Sequence, residues 1–198
     1  MVETTRRREI EDAASSLFRE RGYSGTSVRD IARALDIQGA SLYAHVESKQ
    51  DVLWSIVEGT ATRFESAADA AMAHAALIAD GGPSARLSGL VHSHVGVVTD
   101  DVGRASVFVH EWRALGLERR SEIARRRDAY EARFRTIIDD GVRTGTFGVA
   151  DSAVTAAFIL TALNGLVAWY RTDGRIAPAD LADSYADLVL RAVTGPPR

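Results

Sequence analysis

Apolar residues recur at steps of three and four along nearly the whole chain, and nowhere do they alternate with polar ones long enough to suggest a strand. Ile10, Ala13, Ala14, Leu17 and Phe18 form one such stripe, and Gly22 directly after Arg21 is a natural stop for that helix. Ser27 then offers a cap with Asp30 three residues on, the capping-box spacing, in front of a stripe of Val28, Ile31, Ala32 and Leu35. Asp36-Ile37-Gln38 makes a turn, and a third short helix is expected from about Gly39 to Val46, with Leu42 and Val46 on its buried face. Ser48, with Asp51 three residues on, caps a longer fourth helix through Val52, Leu53, Ile56 and Val57 toward Ala70 or further. No Asn-Gly or Asp-Gly hairpin joins strand-like runs, so the expected fold is all-α.

Further helices are expected from about Ala85 to Val98, Arg104 to Leu115, Glu118 to Gly141, Ser152 to Tyr170 and Pro178 to Val193. The clearest break, Asp80-Gly81-Gly82-Pro83-Ser84, reads as a loop between the fourth and fifth helices, not as a domain boundary. The 198 residues suffice for a small domain attached to a larger one, divided here into residues 1–53 and 54–198.

Composition removes several function classes. There is no cysteine, so disulfide frameworks and thiolate metal sites are out, and the chain suits a reducing cytoplasm. The basic start MVETTRRREIEDA lacks the apolar run of a secretory signal. Residues 153–170 approach bilayer-spanning length, but Thr155, Thr161 and Asn164 interrupt them, and Asp151-Ser152 and Arg171 flank them, so the expected reading is a buried helix with no membrane partner. His92 and His94 stand two apart, which does not share a helix face, and no carboxylate set completes a metal site. No Gly-x-Ser-x-Gly elbow, phosphate-binding glycine loop or His-Glu-x-x-His motif points to an enzyme, and no cofactor is expected.

A short helix, a tight turn and a second short helix held against a first one is the helix-turn-helix arrangement, whose later helix lies in the DNA major groove. The net charge is −3, and residues 1–53 carry eight Lys and Arg against nine Asp and Glu, so any DNA contact depends on where the charges sit. Arg6, Arg7 and Arg8 in a leading arm, Arg29 and Lys49 are the candidates. With Leu42 and Val46 inward, Gln38, Gly39, Ser41, Tyr43 and His45 remain outside. Gly39 and Ala40 keep the helix start slim enough for backbone to approach bases, and the free N–H groups there favour phosphate. Gln38 suits a bidentate contact to adenine, and Ser41 suits a base or phosphate. Tyr43, His45 and Lys49 suit the phosphate backbone, giving affinity and register.

SLFRERGYSGTSVRDIARALDIQGASLYAHVESKQDVL, residues 16–53, resembles the TetR-type one-component transcriptional regulators. The resemblance implies an N-terminal helix-turn-helix DNA-binding domain and a larger C-terminal helical ligand-binding and dimerisation domain. By position it assigns Ser27 and Arg29 to phosphate or base contact, Gln38, Gly39 and Ser41 to bases, and Tyr43, His45 and Lys49 to phosphates. Two residues depart from the pattern: Asp36 stands where the family often has glycine, and Gly39 where lysine is frequent. Asp tolerates a left-handed backbone better than most residues, whereas a missing lysine shifts backbone affinity onto Arg6, Arg7, Arg8 and Lys49.

The same resemblance implies a homodimer built from the last two long helices, which would set two recognition helices about 34 to 36 Å apart on a palindromic operator. Composition agrees, because the helix from Ser152 is apolar nearly all round and Leu181, Tyr185, Leu188, Val189 and Ala192 stripe the last one. Residues 110–147 further resemble a subgroup controlling fatty-acid or sterol breakdown, whose effectors tend to be acyl-CoA thioesters. The implied pocket would draw on Trp112, Tyr130, Phe134 and Trp169, with Arg119, Arg120, Arg125, Arg126 or Arg127 meeting the CoA phosphates. Asn164, an amide in an apolar helix, either bonds across the dimer or faces the ligand. The expected function is thus a ligand-released cytoplasmic repressor. The competing readings are an interaction protein with a degenerate DNA-binding unit, motivated by Gly39 and the acidic balance of residues 1–53, and a small helical enzyme.

Overall fold

The computed structural model describes residues 2–77 and 81–195, with the side chains of residues 2–5 and of Ala40 outside that description. Ten α-helices follow one another, and no strand occurs among the described residues. They are α1 (Val2–Arg21), α2 (Val28–Ala34), α3 (Gly39–Tyr43), α4 (Lys49–Leu77), α5 (Pro83–Asp100), α6 (Val102–His110), α7 (Leu117–Arg143), α8 (Ser152–Asn164), α9 (Leu166–Trp169) and α10 (Pro178–Thr194), with a 3-10 turn at Trp112–Ala114.

Several boundaries differ from expectation for local reasons. The leading arm is the first turns of α1, where Arg6 pairs with Glu9 at 2.6 Å and Arg7 with Glu11 at 3.4 Å, spacings that stabilise a helix rather than a free arm. The α3 helix closes at Tyr43, three residues early, although Val46 still bonds back to the Leu42 carbonyl at 3.2 Å. Pro83 opens α5 instead of lying in the loop, because proline at the first helical position loses no bond. Asp80 lies outside the described residues. The expected helix from Ser152 to Tyr170 is interrupted at Gly165, and α9 follows at once.

The contacts cluster into two compact units: Met1–Thr62 with Gly103–Arg125, and Arg63–Val102 with Arg126–Arg198. In the first, Ile10, Phe18, Ile31, Leu42, Leu53 and Ile56 are fully buried, so α1, α2, α3 and the start of α4 share one small core. Residues 103–125 join it through polar bonds. Arg104 reaches Glu11 at 2.8 Å and Asp12 at 2.7 Å, and the Gln50 amide donates to the Ala114 carbonyl at 2.8 Å while accepting from the Gly116 N–H at 3.2 Å.

In the second unit α10 lies along α5, with Leu181, Val189 and Val193 buried on the one and Leu87, Leu90 and Val91 on the other. Both α8 and α9 also touch α5. The expectation of a buried α8 needs correction. Only Ala156, Ile159 and Leu163 are buried on α8, while Val154, Phe158 and, on α9, Trp169 stay 66, 61 and 49 % exposed. Of the apolar stretch Ser152–Trp169, long enough by composition to cross a membrane, 28 % is buried within the chain. Leu188 on α10 is likewise exposed.

Candidate functional site

The turn before α3 depends on one backbone conformation. Asp36 has φ 54°, the only positive value at a non-glycine residue among those described, as the departure from glycine at this position requires. Ahead of it α2 is held by a complete capping box: the Ser27 N–H donates to the Asp30 carboxylate at 2.9 Å, and the Asp30 N–H donates to the Ser27 hydroxyl at 3.2 Å. The Ser27 hydroxyl also donates to that carboxylate at 2.5 Å, and these bonds hold the Asp30 pKa below its ordinary value. Ser27 therefore spends its proton on the cap and keeps only acceptor capacity toward a partner.

Beyond the cap, one face is left to solvent. Arg29 is exposed and forms no ion pair among the described residues. Gln38 occupies the cap position of α3 without using its side chain there, so its amide is uncommitted. A Cβ at Gly39 would meet nothing within 4 Å, so the fold itself does not require glycine at this position. Arg29, Ala32, Arg33, Asp36, Ile37, Gln38 and Gly39 together line an open concavity of about 430 Å³. Ser41 is exposed and Tyr43 is 56 % exposed, while Leu42 and Val46 are buried as their spacing predicts. The role expected of Ala40 rests on a side chain outside the described residues.

His45 and Lys49 sit differently from Tyr43. His45 is half-buried, with its Nδ1 shut from solvent and unbonded. Lys49 turns inward. Its ammonium donates to the carbonyls of Tyr23 at 2.8 Å and Thr26 at 2.7 Å and lies 4.0 Å from the centre of the Tyr23 ring. Two of its three donors are spent on the segment between α1 and α2, so it acts chiefly to hold that segment to the start of α4. In the chain alone, then, the ammonium expected to bond phosphate is engaged with these two carbonyls. Neighbouring residues reinforce the same junction. Ser48 and Asp51 cap α4, and Asp51 also accepts from Arg119 at 2.8 Å, both bonds lowering its pKa. Arg119 lies over Trp54 at 5.3 Å.

The five pocket candidates do not form one group. Tyr130 and Phe134 come together on α7, ring centres 5.7 Å apart, and with Phe64 and His94 they make a buried aromatic cluster in the second unit. Trp169 makes its ring contact with Tyr170 and is half exposed. Asn164 ends α8, half-buried, and its amide makes no hydrogen bond among the described residues. Trp112 belongs to the first unit, where Arg113 stacks over it at 4.6 Å.

The arginine run also divides. Arg119 pairs with Asp51, and Arg126 grips Glu65 with two bonds of 2.8 and 2.7 Å, whereas Arg120 and Arg125 stand exposed without an ion pair among the described residues. His94 is the residue that sequence reasoning misses. In the sequence it stands out only as a possible metal ligand beside His92, and the two do take opposite faces: His92 bonds Asp183 at 2.8 Å, and His94 points into the aromatic cluster.

Residues 10–56 match the model of the bacterial regulatory proteins, tetR family, and residues 80–193 match the tetracyclin repressor-like C-terminal domain. A curated relative, the HTH-type transcriptional repressor KstR2 of Rhodococcus jostii RHA1, is 29 % identical over 96 % of this chain and 92 % of its own. Among solved structures, the ketosteroid transcriptional regulator KstR2 of Mycobacterium tuberculosis aligns with a TM-score of 0.87 at 25 % identity, covering 96 % of both chains. AibR in complex with isovaleryl coenzyme A and operator DNA aligns at 0.77 with 27 % identity, covering 92 % of this chain and 97 % of that one.

Proposed function

The chain belongs to the TetR family of bacterial transcriptional regulators, and from that premise we propose that it binds a palindromic operator as a homodimer and is released by an apolar or amphipathic effector, an acyl-CoA thioester. It is a ligand-responsive DNA-binding repressor and not an enzyme. The observation that carries the DNA reading is the uncommitted face of α2 and α3: Arg29, Gln38, Ser41 and Tyr43 exposed beside an open Gly39, on a turn fixed by Asp36. Gln38 and Ser41 read bases, with Arg29 beside them, and Tyr43 and His45 bond phosphates. Lys49 serves by positioning, its ammonium tied to the Tyr23 and Thr26 carbonyls.

Dimerisation is supported by the large apolar side chains left exposed on consecutive helices, Val154 and Phe158 on α8, Trp169 on α9 and Leu188 on α10. An acyl-CoA effector is supported by AibR, described in complex with isovaleryl coenzyme A and operator DNA, and an apolar effector by KstR2, described as a ketosteroid regulator. Both α4 and α7 contribute residues to each compact unit, so a ligand-driven change in one has continuous helices along which to act on the other. The protein works in the cytoplasm, where its operator is. Selection of binding sites from random duplexes tests the reading: a two-fold symmetric motif is expected, lost on adding the effector, and recovery of no such motif at low salt rejects it.

A further inference from the structure

Within the second unit, His94 on α5 is fully enclosed and yet incompletely bonded. Its ring lies 4.6 Å from that of Phe64 on α4 and 5.9 Å from that of Tyr130 on α7. Nδ1 meets the Tyr130 hydroxyl at 3.3 Å, a long bond, while Nε2 is shut from solvent and has no partner. A leucine there would complete an aromatic and aliphatic core without leaving a polar atom unmet, so the histidine works against packing.

The surroundings fix the charge of the ring. Burial, and then the guanidinium of Arg127, push the His94 pKa down to about 3, so the imidazole is neutral at any physiological pH and carries one proton. Nδ1 is the partner of the Tyr130 hydroxyl, and with that O–H assigned as the donor the ring proton belongs on Nε2. The result is a single hydrogen-bond donor, enclosed beside the rings of Phe64 and Tyr130, with no acceptor. Apolar sites with one placed polar group are how proteins orient largely hydrophobic ligands. A carbonyl oxygen matches a neutral donor.

We propose that His94 Nε2 donates to a carbonyl oxygen of the effector, a thioester or ketone on an apolar body seated against Phe64, Tyr130 and Phe134. This rests on the effector reading above and assigns its polar contact. The long Tyr130 bond is the one that yields as the molecule enters. Tyr130 and Arg127 lie three residues apart on α7, so the displacement is felt along one face of that helix.

The test uses matched probes on the full-length protein with 15N-labelled histidine. Isovaleryl coenzyme A is compared with its thioether analogue, in which a methylene replaces the carbonyl, and cyclohexanone with cyclohexane. Loss of the oxygen should weaken binding at least tenfold, and carbonyl probes should shift the His94 ring nitrogens. In His94→Phe the paired affinities should converge, and His94→Gln, which keeps a donor, should restore part of the difference. Should His94→Phe not fold, the wild-type nitrogen shifts and His94→Gln decide. Equal affinities within each pair, or a difference unchanged by the substitutions, overturn the His94 assignment and leave the effector reading standing. Discrimination by the ketone pair alone upholds His94 and rejects the thioester. Binding of no probe, with His94 signals unmoved, rejects both.

Discussion

The ammonium of Lys49 sits 4.0 Å above the ring of Tyr23 and donates to the carbonyl of the same residue at 2.8 Å. With the Thr26 carbonyl as second acceptor, one side chain holds the segment between α1 and α2 against the start of α4. Lys49→Ala should therefore cost about 2 kcal/mol of stability, since charge-assisted bonds to half-buried carbonyls are lost. Operator affinity should fall as well, with little change in its salt dependence. A salt slope reduced by about one ion would return Lys49 to the phosphate contacts.

Asp36 at φ 54° makes a second point of leverage. Asp36→Gly should be tolerated or mildly stabilising, whereas Asp36→Val should cost on the order of 1–2 kcal/mol by forcing a branched side chain into the left-handed region. Chemical denaturation of the two variants checks the order, and equal midpoints would contradict it.

On the exposed face, Tyr43→Phe should weaken binding to all sequences by roughly fivefold, the value of about one phosphate hydrogen bond. Gln38→Ala should instead relax preference at one base position by about 1–3 kcal/mol. Binding measured across single-base operator variants separates these patterns, and a uniform loss for Gln38→Ala would show that it reads no base.

Phe158→Glu places a charge on the apolar face of α8 without touching the protomer core. Sedimentation should then report monomer at concentrations where the parent is dimeric, with operator affinity down at least a hundredfold. An unchanged mass would move the dimer contact elsewhere.

Acid sensitivity carries a signature of His94. Its pKa is depressed to about 3 in the folded chain from an ordinary 6.5, so between those values the unfolded state binds the extra proton. Stability should thus be level above about pH 6.5 and decline as pH falls below it. Asp30, Asp51 and Asp140 have lowered pKa values and add their own loss only below the ordinary carboxylate range. His94→Phe should flatten the decline between pH 6.5 and 4.5, and calorimetry across that interval reads it. A parallel decline in the variant would place the acid sensitivity on other groups.

The helices, the Ser27 capping box and the left-handed turn are legible in the sequence because each is decided within a few residues: Ser27 with Asp30, Leu42 with Val46, Asp36 on its own. What escapes it are partners far apart along the chain. Lys49 reads as a spare cation until Tyr23, more than twenty residues earlier, is folded against it. Gln50 meets Ala114 and Gly116 over more than sixty residues, and Arg119 meets Asp51 over a similar span. The apolar run of α8 reads as buried, since composition cannot say whether a helix hides all its faces or only one. For His94 the sequence offers only the residue two before it, when its surroundings come from α4 and α7.

The empty space around Gly39 has a consequence for how such a regulator can change. Because no neighbour would be displaced by a side chain there, substitutions at this position need no repacking of the fold and project toward the double helix outside. A lysine introduced at Gly39 would add a cation at the groove while the turn, the caps and the Lys49 tie stayed as they are. Binding strength can thus drift through this one residue under selection on the operator, with no packed neighbour to hold it back.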